Sequence, residues 1–126
     1  MIEYAIKQKL LARTQLKALV SNRIYYPHLP QDVIYPCVNL FLISGFRHND
    51  VDIGYPVYQI DGFGSSYAQV IEVMREVKNA VNKQGGIWSG YNVINMILLN
   101  ELDIDEPSDS SLFHRSADYK IIYKDI

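Results

Sequence analysis

Apolar positions recur along the first twenty residues at helical spacing. Ile2, Ala5, Ala12, Leu16, Leu19 and Val20 fall in one sector of a 3.6-residue wheel, while Glu3, Lys7, Thr14 and Lys17 fall outside it. Lys9 and Arg13 sit at the sector edge, where their stems can lie along apolar surface and leave the charge in water. The spacing predicts a helix over 3–20, stopped at Ser21-Asn22. Pro27, Pro30 and Pro36 then punctuate the chain. Each removes a backbone donor and biases its predecessor toward extended backbone, so 23–36 reads as an irregular connection opened by a short strand at Tyr25 and Tyr26. From Cys37 the period changes to two. Val38, Leu40 and Leu42 alternate with Asn39, Phe41 and Ile43, and both sets are mostly apolar, which predicts a strand over Cys37–Ser44 covered on two faces.

Residues 44–56 are polar and hairpin-like, and 57–63 read as the returning strand. Ser66 followed three residues later by Gln69 has the form of a capping box, in which side chains satisfy orphan amides at a helix start. The helix that follows carries one stripe, Tyr67, Val70, Ile71, Met74, Val77 and Val81, and Gly85-Gly86 ends it. Residues 92–101 read as a strand, although the run is also compatible with a turn or two of helix. Ala117, Tyr119, Ile121 and Tyr123 alternate with Asp118, Lys120 and Lys124, the pattern of a half-exposed strand. A loop from Asp103 to Ser111 lies between the two. The order helix, strands, helix, strands predicts an α+β fold, a mainly antiparallel β-sheet packed by two α-helices. With no internal repeat or linker, 1–126 is expected to be a single domain.

Composition fits that expectation: 126 residues, 48% hydrophobic and 21% charged, suffice for one core without metals or disulfides. The net charge of −2 and a pI near 5.8 argue against a basic nucleic-acid binder. The single cysteine, Cys37, cannot close an intrachain disulfide, and no Cys/His set has zinc spacing. No apolar run approaches the roughly 18 residues that cross a bilayer, so a soluble, intracellular chain without a membrane role is expected. Ten tyrosines stand against four phenylalanines and one tryptophan. An apolar ring with a polar tip suits half-buried strands and protein interfaces alike, and either accounts for the count.

Candidate chemistry is sparse. His48-Asn49-Asp50-Val51-Asp52 brings metal-ligand residue types together, but it runs into Ile53-Gly54-Tyr55-Pro56, without the alternating oxygen ligands and distal glutamate of a Ca²⁺ loop. It reads as a solvated hairpin loop. Glu101, Asp103, Asp105, Glu106 and Asp109 place five of the fourteen acids within nine residues, and without them the net charge of −2 becomes +3. Such a stretch beside Pro107 and several serines reads as a solvated turn, with docking to a basic partner as its functional alternative and acid–base catalysis the least supported. Gly62-Phe63-Gly64-Ser65-Ser66 lacks the third glycine of a dinucleotide fingerprint and the lysine of a P-loop, and reads as a capped turn. Cys37 has no histidine beside it and reads as a buried thiol; His28 and His114 read as loop and strand-edge residues. No catalytic residue, cofactor or metal is expected.

Taken end to end, the arrangement resembles the phage tail completion family, the tail-to-head joining or tail terminator proteins of long-tailed phages and prophages. The resemblance is carried by Leu19-Val20-Ser21-Asn22-Arg23-Ile24-Tyr25, by Leu29-Pro30-Gln31 and Tyr35-Pro36-Cys37-Val38, and by Ser44-Gly45. It continues through Val57-Tyr58-Gln59-Ile60-Asp61, the helix from Ser66, and Arg115-Ser116-Ala117-Asp118-Tyr119-Lys120-Ile121-Ile122-Tyr123. What it implies is a tail-terminator-like fold and a structural role without catalysis. A ring, typically of six subunits, would cap the finished tail tube and meet the major tail tube protein on one side and the head–tail connector on the other. DNA would pass through without specific binding, which a near-neutral charge suits. The implied location is the virion, at the head–tail junction, with assembly in the host cytoplasm.

Closing such a ring needs two different patches on one subunit. Loops 45–55 and 103–111 are the expected partner contacts, through Arg47, His48, Asp50 and Asp52 in the first and Asp103, Asp105, Glu106 and Asp109 in the second. The alternative is a small α+β bacterial binding or regulatory module, also non-catalytic. A gene neighbourhood with tail and connector genes would separate the two.

Overall fold

The computed structural model describes residues 1–48, 52–105 and 111–125. The predicted first helix is two: α1 (Ile2–Leu11) and α2 (Thr14–Val20). Arg13 parts them with extended backbone, φ −80° and ψ 104°, and its guanidinium reaches Glu76 at 2.9 Å. Leu10 and Leu16, on either side of the break, are both buried, so the apolar sector gives no sign of it. A short strand β1 (Ile24–Tyr25) follows, one residue earlier than expected, and pairs in parallel with β2 (Cys37–Ser44). The Asn39 side-chain amide donates to the Pro27 carbonyl at 3.1 Å and ties the proline-punctuated connection to β2. Cys37 to Leu40 are buried, whereas Leu42 and Ile43 are about half exposed, so only the first half of β2 is covered on two faces as predicted.

Within 44–56 a small hairpin forms from β3 (Arg47–His48) and β4 (Ile53–Gly54), and β5 (Val57–Gly64) then runs antiparallel to β2. Helix α3 (Tyr67–Val81) starts at Ser66, whose Oγ accepts from the Gln69 amide at 3.2 Å. In return the Gln69 side-chain oxygen accepts from the Ser65 amide at 2.9 Å, one residue earlier than a capping box requires. The buried stripe of α3 is Val70, Val73, Met74, Val77, Ala80 and Val81. Tyr67, expected within it, is 46% exposed, and Ile71 is half-buried. The stripe is set by where the helix can sit closest. A Cβ at Gly62 on β5 would lie 2.7 Å from Met74 Sδ, so α3 seats its Val73–Met74 side on the glycine.

The helix stops at Val81, before the two glycines, and β6 (Gly86–Trp88) pairs with β7 (Tyr91–Ile104) through a two-residue turn. Ser89 and Gly90 both have positive φ, as a type I′ hairpin requires. β7 outruns the predicted 92–101 at both ends, and β8 (Phe113–Asp125) pairs with it from Tyr91↔Asp125 to Ile104↔His114. Across the sheet the order is β1-β2-β5-β8-β7-β6, with the β3–β4 hairpin continuing beyond β5 on the same flank of β8, where Gly54 faces Tyr123. Every pair except β1–β2 is antiparallel. The fold is α+β as predicted, with three helices among the described residues in place of two. α3 packs on β5, β8 and β7, and α1 and α2 pack on α3. Ile6, Leu10, Leu16 and Val20 from the helices meet Leu40, Ile60, Met96, Tyr119 and Ile121 from the strands in the core.

Candidate functional site

The first predicted contact loop lies at one end of the sheet. Arg47, on β3, pairs with Asp52 in the turn and lies 3.9 Å from Asp125 at the end of β8. The bond to Asp52 raises the Arg47 pKa further above its ordinary value. His48 is the other residue of β3, and Asp50 lies outside the described residues. Beside this hairpin is a groove of about 440 Å³ lined by Met1, Phe46, Tyr58, Tyr91 and Tyr123 among others. Tyr91 and Tyr123 meet edge to face with centroids 5.4 Å apart. Burial, with the Glu3 carboxylate nearby, pushes the Tyr58 phenol well above its ordinary range. Of the ten tyrosines only Tyr58 and Tyr119 are buried; the others are half-buried or exposed.

At the other end the predicted acidic loop begins later than expected. Asp103 is within β7, so the non-strand segment starts at Asp105, which is exposed; Glu106 and Asp109 lie outside the described residues. Asp103 is not a free charge. Arg115 of β8 donates to it at 2.7 Å, and the Tyr67 hydroxyl donates to its other oxygen at 2.8 Å. These two bonds, Arg115 first, hold the Asp103 carboxyl below the usual carboxylate range. Arg115 also donates to Tyr67 Oη at 2.9 Å and lies 3.7 Å from Glu101. Sequence reasoning missed Tyr67 and Arg115. Tyr67 falls at the margin of the α3 stripe, and a polar tip at that position was the available signal.

Away from the helices, the third cluster occupies the opposite face of the sheet. The Gln59 side-chain amide donates to Asp61 at 3.0 Å, and His114 Nε2 lies 3.1 Å from the Asp61 carboxylate. Phe63 stacks on His114 with centroids 4.1 Å apart. His114 is therefore within a central strand, where a strand-edge residue was expected. Cys37 is buried, and burial pushes its thiol up to about 11 against a smaller opposing pull from Arg23, the reverse of nucleophile activation. Among the described residues no group of three or more His, Cys, Asp or Glu could hold a metal ion.

The last feature is the free margin of the sheet. β6 covers residues 91–93 of β7, and a Cβ on Gly85 would lie 2.7 Å from the Ile94 carbonyl oxygen, so the chain crosses hard against the strand there. The Lys83 amide then donates to the Met96 carbonyl at 2.6 Å, and the Asn82 side chain accepts from the Leu98 amide at 2.9 Å. Beyond that point, among the described residues, β8 is the only strand paired with β7, and 99–104 has an open edge with Leu99 51% and Leu102 46% exposed. An open edge offers unpaired amides and carbonyls to another chain.

With this geometry the chain is similar to a chain from the virion of a native gene transfer agent (GTA) particle. The TM-score is 0.70 over 94% of this chain and 90% of that one, at 14% identity. At that identity the likeness is one of fold. No family model matches the sequence, and no curated protein matches it.

Proposed function

We propose that this chain is a structural protein of a phage-like virion, one that caps the completed tail tube as a homohexameric ring and joins it to the head connector. The observation that carries the reading is the likeness of fold to a gene transfer agent virion chain over nearly the full length of both. The order of sequence elements resembles tail completion proteins independently of that likeness. In this role the chain is not an enzyme, needs no cofactor, resides in the virion, and contacts copies of itself, the tail tube protein and the connector. The two loops are its candidate contacts, with Arg47, His48, Asp50 and Asp52 in the first and Asp103, Asp105, Glu106 and Asp109 in the second. Within the subunit Asp103 also accepts a hydrogen bond from Arg115.

Purified chain mixed with tail tubes of its own phage or prophage tests this in electron micrographs. One end of each tube should gain a six-fold density, and capped tubes should then join heads. Tubes that stay uncapped at saturating concentrations would refute the reading. Replacing Asp105, Glu106 and Asp109 together by Asn or Gln should leave the melting temperature unchanged, on the reading of this acidic stretch as a solvated turn, whose charges contribute little to stability. It should also slow joining most at low salt, where steering is strongest.

A further inference from the structure

We infer that neighbouring subunits join by sheet extension, with residues 99–104 of β7 in one copy lying antiparallel to residues 40–44 of β2 in the next. The inference rests on the ring reading above and names the contact that closes the ring. A ring of identical subunits needs two different, complementary patches on each. The sheet supplies two open edge segments on opposite flanks. β7 is blocked from 91 to 98 by β6, Gly85, Lys83 and Asn82, and among the described residues is open from 99. β2 is covered by β1 only at Val38 and Asn39, and among the described residues nothing pairs on its outer side from 40 to 44.

The two segments overlap in height near Leu40 and Phe41 and are offset by about two residues, since Ile104 is level with Cys37 and Leu98 with Leu42. Leu40 is opposite Ile60, which is opposite Ala117, which is opposite Glu101. Strand direction reverses three times between β2 and β7, so the two run antiparallel within one subunit. A rotation about an axis modestly inclined to the strands keeps that relative direction and supplies a stagger of about two residues, so it brings 99–104 of one copy beside 40–44 of the next as an antiparallel pair. Both segments carry exposed apolar side chains, Leu99, Leu102 and Ile104 on one and Leu42 and Ile43 on the other. Charge agrees as well. Asp105, exposed and next after Ile104, would approach the β1 flank of the next copy, where Lys7 lies 6.0 Å from the Tyr26 ring centroid and Arg23 donates to the Pro36 and Leu19 carbonyls.

The pleat fixes which side chains meet. Leu102 pairs with Ser116 on the face away from the helices, as do Phe41 and Ser44 through Gln59 and Val57, whereas Leu42 points to the helix face through Tyr58. In a Cys37→Ala background, Leu102→Cys mixed with Phe41→Cys, or with Ser44→Cys as the neighbouring register, should give an oxidised heterodimer. Its yield should exceed that of the control pair Leu102→Cys with Leu42→Cys by at least about tenfold, because a disulfide needs close and convergent Cβ atoms. Leu102→Lys together with Ile104→Lys should dissociate the oligomer while the monomer melts within a few degrees of wild type.

Hexamers of wild-type mass that give no more cross-link in either pair than in the control would overturn the edge contact and leave the ring reading intact. A chain that stays monomeric at about millimolar concentration and forms no heterodimer also overturns the edge contact, and the tail-tube assay then judges the ring separately. Specific heterodimers within open filaments or rings of another size would support the edge contact and contradict the hexamer.

Discussion

Gly85→Ala isolates the element that keeps most of the β7 edge closed. The new methyl carbon would lie 2.7 Å from the Ile94 oxygen and 2.8 Å from the Val93 oxygen, both backbone atoms of a paired strand. An ordinary carbon–oxygen contact is longer by about half an ångström, and neither oxygen can swing aside as a side chain would. Relief requires the connection from Lys83 to β6 to move off the strand, loosening the Lys83–Met96 hydrogen bond. Overpacking of this kind costs about 1–3 kcal/mol. At about 4 °C per kcal/mol for a domain of this size, the melting temperature should drop by roughly 4–12 °C. Gly45→Ala is the matched control. Its new Cβ meets only Leu42 Cδ2 at an ordinary 3.6 Å, so stability should change by less than about 1 kcal/mol. Urea and thermal melts on both variants provide the comparison, and amide exchange at residues 93–98 reports whether the guard has lifted. Equal stability of the two variants, with unchanged exchange at those amides, would refute the reasoning.

The core predicts an order within α3: Val77→Ala, fully buried, should cost about 1–3 kcal/mol in chemical denaturation, and Ile71→Ala, half-buried, clearly less. Burial raises the proton affinity of Cys37, Tyr58 and Tyr119 in the folded chain, so the stability they confer is complete below their unfolded pKa values and is lost as pH rises above them. For Cys37 the window runs from pH 9.0 to about 11 and is worth at most about 3 kcal/mol. Urea midpoints should therefore fall across that range, and a thiol reagent at pH 8 should label the native protein only at the rate of unfolding. Asp103 has the opposite sign: its folded pKa is lowered by Arg115, so its contribution is present above the ordinary carboxylate pKa and is lost on acidification. Arg115→Met should flatten that acid limb in pH-dependent melts, and an unchanged limb would mean the pair contributes nothing.

Much of the fold was legible because period and burial coincide in the central elements. Alternation located β2 to the residue, and the stripe of α3 needed only a small rotation toward Val73 and Ala80. What escaped was decided by partners distant in sequence. At the break Arg13 meets Glu76, sixty-three residues away, and the apolar sector passes through it unchanged. β6 was hidden because Gly85-Gly86 looks like a helix stop, yet Gly85 is needed for close approach to β7. The site was legible only in part. The acidic stretch was visible as charge, but local sequence cannot tell that Arg115 and Tyr67 would hold Asp103 while Asp105 stays exposed. His114 gave no signal of its partner, because Asp61 reaches it only through the β5–β8 register.

A reconstruction of the head–tail junction, from particles made by cells carrying this gene with its neighbouring structural genes, tests the central claim most directly. Six copies of this α+β fold should form a closed ring at the head-proximal end of the tail tube, between the tube and the connector, with the sheet continuous from subunit to subunit at 99–104 and 40–44. Density for this chain elsewhere in the particle, or its absence from intact particles with normal tails, would contradict the account.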